Sequence, residues 1–303
     1  MGTPLCDSQL ATLDGEVQAR GWRRREQRRL SLPGRERSCV EWRVAGDAAA
    51  ADALRDLVRE FADAHALDAF LQPETLLRAY PRLAVFDMDS TLVEAEVIDE
   101  LARAAGSGER VSLITERAMR GELDFADSFR ERLATLRGLS VDCLPEIAAQ
   151  LRLAPGAGVL IATLRAMGCR TAIVSGGFDY FARMIAARLG IDEVFANGLD
   201  IAGEALTGEV AGEIIDGARK AALLEHLAER HAVPGAQVIA VGDGANDLPM
   251  LRLAGRGVAY RAKPVVRASA PHAIVHGGLD SILFLLGLPE RLWQLPPEPA
   301  SDI

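Results

Sequence analysis

An α/β fold, doubly wound around a parallel sheet, is what this sequence predicts, and three observations carry it. The apolar runs Leu83-Ala84-Val85-Phe86, Arg170-Thr171-Ala172-Ile173-Val174 and Gln237-Val238-Ile239-Ala240-Val241 have the length and composition of buried strands. Each is followed at once by Asp, Ser or Gly and then by a helical stretch, and a further strand-like run, Gly257-Val258-Ala259-Tyr260, precedes Arg261 and Lys263. Strands separated by helices favour a parallel sheet with right-handed crossovers. Ligands of such sheets sit outside the carboxyl ends of the strands, near a topological switch point, so the polar clusters ending the runs would meet there.

The elements follow in order. Residues 1–78 read as a small α/β module: an arginine-rich stretch (Arg20 to Ser38) expected to be a solvated face, the strand-like "CVEWRVAG", and a helix carrying Leu54, Leu57, Val58 and Phe61 at helical spacing. Residues 79–290 form the main domain. Between its first two strands lies a helix-rich insertion, about 93–150, longer than a crossover needs and placed to act as a lid. "VFANGLDIAGEALTGEV" alternates apolar residues with Gly and predicts a hairpin or two, and "SILFLLGL" a core helix. Residues 291–303 read as a tail, with "PPEPASDI" expected to be disordered.

Bulk properties exclude several classes. A net charge of −9 argues against a nucleic-acid binder. No apolar run approaches the roughly 18 residues of a membrane span, and the start lacks the layout of a secretory leader. Cys6, Cys39, Cys143 and Cys169 are scattered without CxxC spacing, which suits free thiols in a reducing, cytoplasmic setting. Homodimer formation is left open.

The chemistry concentrates in four clusters. Asp87 and Asp89 in "DMDST" follow a buried strand, where carboxylates are costly unless held by cations or hydrogen bonds. Either they end the strand as turn residues or they form a site. On an extended segment they face opposite sides, which suits a division of labour between metal or substrate contact and proton transfer. "VGDGANDLPM" repeats the logic: Asp243 and Asp247 stand one helical turn apart, with Asn246 between them, and suggest a Mg²⁺ site. Ser175, Gly176 and Gly177 offer a hydroxyl and accessible backbone N–H groups suited to phosphate oxygens. Lys220, near the start of a helix, would offset the carboxylates.

In order and spacing, "DMDST", "SGG", the Lys220 region and "GDGAND" resemble the haloacid dehalogenase superfamily, and in detail its phosphoserine phosphatase family, over about residues 80–287. The resemblance implies a Rossmann-like core with a helical cap, and Mg²⁺-dependent hydrolysis of the small-molecule substrate O-phosphoserine through an aspartyl phosphate. It implies Asp87 as nucleophile and Asp89 as general acid/base. Asp87, the Asp89 backbone carbonyl and Asp243 would ligate Mg²⁺, with Asp247 holding metal waters. Ser175, Gly176 and Lys220 would bind the phosphoryl group, and Asn246 would order the site. Glu96 would meet the substrate amine and Arg132 its carboxylate, while Met119 and Phe125 would close the cap.

Longer members of that family carry ACT-type modules at the amino terminus, and "CVEWRVAGD" plus the following helix is similar to part of one. Two rivals stand beside the leading reading. One is a phosphatase or phosphotransferase of the same superfamily acting on another phosphoester, such as phosphohomoserine; the other is a non-catalytic amino-acid-binding regulator. His272 and His276 are spaced i, i+4 but flank the strand-like Ala273-Ile274-Val275, which does not favour a shared metal.

Overall fold

The computed structural model describes residues 5–34, 38–120 and 122–296. The amino-terminal module consists of α1 (Asp7–Ala19), β1 (Arg23–Arg29), β2 (Val40–Ala45) and α2 (Ala51–His65). β1 and β2 pair antiparallel with an irregularity between Arg24 and Glu26, and almost all of β1 is exposed. The apolar stripe of α2 buries Leu54, Leu57 and Phe61, and Leu54 and Leu57 pack with Val17 of α1. Among the described residues the module has two strands, fewer than a complete four-stranded ACT-type module.

A short α3 (Glu74–Arg78) leads into the main domain, whose first strand is β3 (Leu83–Phe86). The cap follows as α4 (Val97–Ala104), α5 (Gly108–Met119), α6 (Phe125–Ala134) and α7 (Cys143–Gln150). The core resumes with α8 (Ala157–Ala166), β4 (Arg170–Phe178), α9 (Asp179–Leu189) and the hairpin β5 (Glu193–Ala202) and β6 (Ala205–Ala211). It ends with α10 (Gly217–Arg230), β7 (Val238–Gly242), α11 (Leu248–Leu253), β8 (Arg256–Tyr260), α12 (Pro264–Ser269), β9 (His272–Ile274) and α13 (Ser281–Leu285). The sheet runs β6-β5-β4-β3-β7-β8-β9, parallel except for β6. β3 is central: the chain builds outward through β4 and β5, then returns to its other side for β7, so the switch point lies between β3 and β7.

Both faces of the sheet are covered, which is why its strands are continuously apolar. Strand alternation sorts them: Ala84 and Phe86 of β3 face Leu160 of α8 and Phe181 of α9, whereas Leu83 and Val85 face Leu223 and Leu227 of α10 and Leu251 of α11. β4 is longer than its apolar run. Ser175, Gly176 and Gly177 form a bulge within the strand, which pairs again with β5 at Phe178.

The cap is stitched to the core where its two connections cross. Glu94 N donates to the Arg152 carbonyl at 2.9 Å and Ala154 N to that of Leu92 at 2.8 Å. Across the cap, Gly138 N and Leu206 N exchange bonds with the β6 region and the cap loop, fastening the hairpin to the cap. No helix among the described residues is long and apolar enough to cross a membrane.

The module docks through polar clamps. Arg28 of β1 holds Glu41 at 2.6 Å and donates to the Gly287 carbonyl. Arg256, fully buried, donates to the carbonyls of Ala79, Ala236 and Leu76 and to Gln72. Residues 291–296, at the start of the tail read from sequence, touch the domain at two points: Gln294 N donates to Thr163 Oγ1 of α8 at 2.9 Å, and the Trp293 ring lies 4.7 Å from that of Phe284. Residues 297–303 lie outside the described residues.

The Asp68 carboxylate receives three successive backbone N–H groups, from Val275 at 2.7 Å, His276 at 3.2 Å and Gly277 at 2.7 Å. Hydrogen bonds to a charged group contribute roughly 1.5–3 kcal/mol. Asp68→Ala is therefore expected to lower stability by about that amount, with Asn recovering part, in urea unfolding of the full chain. An unchanged midpoint would mean the 275–277 loop keeps its shape unaided.

Candidate active site

The ends of β3, β4 and β7 deliver the site. Asp87 continues the ladder beyond β3, its N–H donating to the Val241 carbonyl at 2.9 Å, so its backbone is fixed by the sheet. The chain then wraps around the Met88 carbonyl, which accepts from Thr91, Leu92 and Val93. This tight turn puts Ser90 in the left-handed region at φ 53° and aims Asp87 and Asp89 into one cavity.

Lys220 of α10 is completely buried, with Nζ 2.7 Å from Asp87 Oδ2 and 2.7 Å from Asp247 Oδ1. Asp247 Oδ2 in turn accepts from the Gly244 N–H at 2.9 Å and the Asp243 N–H at 3.1 Å. A side chain at Gly242 would run into the Asp247 carboxylate, so this approach needs glycine. Asp243 Oδ1 accepts from Thr91 Oγ1 at 3.1 Å, tying the end of β7 to the turn after β3.

So many carboxylates in a buried place change their acidity. Burial, with the charges of Asp87 and Asp247, pushes Asp243 up to about 8. Burial and Asp87 bring Asp247 to about 6, with Lys220 pulling the other way. For Lys220, burial opposes the charge, but Asp247 and Asp87 outweigh it and hold the ammonium firmly protonated. Asp89 is raised well above the usual carboxylate range by burial, then by Glu96 and Asp87.

Asp87, Asp243 and Asp247 each offer a carboxylate oxygen within 4.8 Å of the others. The donors are all hard oxygens, and a divalent cation would relieve the repulsion that raises Asp243 and Asp247. These residues fit such an ion. His272 and His276 are not part of this cluster: His272 is buried on β9, and the backbone N–H of His276 donates to Asp68.

A cavity of about 150 Å³ lies over this cluster, lined by Asp87, Asp89, Glu96, Phe125, Arg132, Ser175, Gly176, Asp243 and Asn246. Lys220 and Asp247 stand buried just behind that lining. Glu96 opens α4 and accepts from Ser90 Oγ at 2.7 Å; burial raises its carboxyl. Arg132, on α6, has its basicity lowered by burial and is pulled back by Glu96, Asp99 and Asp89. Ser175 Oγ accepts from Gly177 N at 2.9 Å within the bulge. A Cβ on Gly176 would lie 2.9 Å from Phe125 Cζ, so glycine is what lets the cap ring close against the loop. Met119 ends α5, and its side chain lies outside the described residues.

Sequence reasoning missed several supports. Ser90 and Thr91 stand inside "DMDST", but their roles depend on partners that folding brings near. Phe129 lines the cavity one helical turn after Phe125, a spacing that could have flagged it. Asn197 of β5 donates to the Gly176 carbonyl at 2.8 Å and accepts from Ile215 N at 2.8 Å. It joins the bulge to the segment entering α10, and nothing in its sequence neighbourhood signals this.

With this geometry in view, comparison with known proteins gives a consistent result. A sequence model of the haloacid dehalogenase-like hydrolases matches residues 84–252. A phosphoserine phosphatase of Archaeoglobus fulgidus is 44% identical over 236 residues, 78% of this chain and 69% of that protein. Phosphoserine phosphatase SerB2 of Mycobacterium tuberculosis is 50% identical over 207 residues, 68% of this chain, and the match spans about half (51%) of that longer protein. The unliganded crystal structure of a probable phosphoserine phosphatase from Vibrio cholerae superposes with a TM-score of 0.76 at 35% identity, covering 96% of this chain and 86% of that one. With the family model matching residues 84–252 and relatives matching most of the chain, this protein belongs to the haloacid dehalogenase-like hydrolases and, within them, to the phosphoserine phosphatase family.

Proposed function

We propose that this chain is a phosphoserine phosphatase, hydrolysing O-phosphoserine to serine and phosphate. The observation that carries the substrate is the composition of one small cavity. The phosphate-facing Asp87, Ser175 and Gly176 share it with Glu96 and Arg132, an acid and a base suited to an ammonium and a carboxylate. A sugar phosphate needs neither charge. Arg132 offers a planar fork that a lysine lacks.

Asp87 attacks phosphorus in line, forming a P–O bond as the bond to the seryl oxygen breaks. Asp89 is the proton donor to that departing oxygen. Its raised pKa supports this role, because the group is then protonated when the substrate binds. In the second half, Asp89 takes a proton from the incoming water as the aspartyl phosphate is hydrolysed, which regenerates both carboxyl groups. Lys220, held between Asp87 and Asp247, lowers the repulsion between the nucleophile and a dianionic phosphoryl group. The Gly176 N–H and Ser175 hydroxyl steady the phosphoryl oxygens, and Asn246 orders the wall beside Asp243. Mg²⁺, held by Asp87, Asp243 and the Asp89 carbonyl with Asp247 supporting its waters, would supply further positive charge to those oxygens. A binding-only role has no use for a nucleophile beside a buried ammonium.

The direct test is phosphate release from O-phosphoserine with and without Mg²⁺. Turnover is expected to vanish on chelation and return on Mg²⁺ addition; full activity in metal-free buffer would contradict the proposed ion. Asp87→Asn keeps the shape but cannot form the acyl phosphate, so it should remove nearly all turnover while leaving the folded signal by circular dichroism intact. Arg132→Ala should lower kcat/KM for phosphoserine by roughly tenfold to a hundredfold, the loss of a charge-assisted bond of about 1.5–3 kcal/mol. Hydrolysis of p-nitrophenyl phosphate, which lacks both amine and carboxylate, should change little. Equal losses on both substrates would make Arg132 structural, and no loss on either would point to a different phosphoester.

A further inference from the structure

A second cavity, of about 210 Å³, lies at the seam between the amino-terminal module and the main domain. One wall is α2, contributing Arg55 and Arg59 one helical turn apart; the other is α12, contributing Arg267, with His272 of β9 also in the lining. The chain as a whole carries a net charge of −9, so three guanidinium groups around one crevice run against its composition.

Their charge is poorly answered. Arg55 pairs with Asp52. Arg59 and Arg267 have no ion-pair partner among the described residues, and the Arg267 Nε is buried without a hydrogen-bond partner. Two acids also line the cavity. Asp68 is engaged by the backbone N–H groups of residues 275–277, and Asp63 is exposed on α2. Near His272 lies the buried Arg256, whose bonds go only to carbonyls and the Gln72 amide. The His272 imidazole is accordingly pushed down to about 4, by burial first and then by Arg256 and Arg55, with no carboxylate opposing. Like charges gathered in a partly desolvated crevice repel one another, and a bound anion would relieve that repulsion.

We propose that this seam cavity binds a small metabolite carrying oxyanion groups, carboxylate or phosphate, gripped by Arg59 and Arg267 from opposite walls. The His272 ring, in the same lining, offers a further hydrogen-bonding group. Because the walls come from the module and from the main domain, the ligand fastens one to the other. The site is separate from the catalytic cavity: none of its lining residues is shared with it.

Isothermal titration of the full chain with malonate, and separately with inorganic phosphate, tests this at constant ionic strength in a chloride background. Wild type, Arg59→Gln, Arg267→Gln and Arg132→Ala are compared. At least one probe is expected to bind wild type and Arg132→Ala alike, and about tenfold or more weakly to Arg59→Gln and Arg267→Gln. Malonate alone would assign the site to carboxylate metabolites, and phosphate alone to phosphorylated ones. Affinities for both probes that are unchanged in Arg59→Gln and Arg267→Gln, or no binding of either probe above the chloride background, overturn the proposal. Arg59 is exposed on α2, so Arg59→Gln guards against misfolding: its melting temperature and phosphoserine turnover should stay near wild type. A fall in these that parallels the lost affinity would attribute the effect to folding and also overturn it.

Discussion

One buried ammonium holds the catalytic end of the fold together. Lys220 lies between Asp87 at the end of β3 and Asp247 at the start of α11, at 2.7 Å from each. Without it, Asp87 would meet Asp243 and Asp247 in a place where burial already disfavours the charge of the latter two. Breaking a buried pair by removing one partner typically costs about 3–5 kcal/mol, because the other charge is left uncompensated. The same contact fixes α10 against the ends of β3 and β7, so the catalytic charges and the packing of the sheet are one arrangement. Carboxylates that repel one another also leave the site ready for a cation and poorly disposed to an anion that arrives alone.

The cap acts on this cluster through a few contacts. Its two connections are bonded to each other between residues 92–94 and 152–154, which gives it a narrow base. From there α4 brings Glu96 and α6 brings Phe125 and Arg132 over the strand ends. Phe125 meets the bulge where Gly176 has no side chain, so the cap reaches the backbone of the bulge directly. Ser90, in its left-handed conformation, links the turn after β3 to Glu96. The cap's Glu96 and Arg132 and the core's Asp87, Ser175 and Asp243 thus line one cavity only once the chain has folded.

The amino-terminal module follows a different logic. It has a small apolar cluster of its own, but polar clamps join it to the main domain: Arg28 and Glu41 at Gly287, Asp68 at the 275–277 loop, and Arg256 beneath α3. Such clamps fix where the module sits, and removing one partner leaves the other's buried polar groups unpaired.

Much of the catalytic domain was legible in the sequence for a physical reason. Strands buried on both faces must be continuously apolar, and acids placed at their ends stand out against that background; Leu83–Phe86 followed by Asp87 and Val238–Val241 followed by Asp243 are such cases. Lys220 was singled out from its position, but its complete burial between two aspartates was not readable, because those partners lie 133 and 27 residues away in the chain. Elements held by weak or distant signals were missed. Helix α1 buries only Val17, and β1 is a run of charged residues whose strand form comes from pairing with β2. Composition suggested a tail at 291–303, and the contacts of Gln294 with α8 and of Trp293 with α13 near its start could not be read from it. Local chemistry by itself determined the core strands and the polar residues that stand at their ends. Which charges are buried, which surfaces meet and where the module docks were decided only by the tertiary structure, because burial and pairing belong to residues brought together by folding.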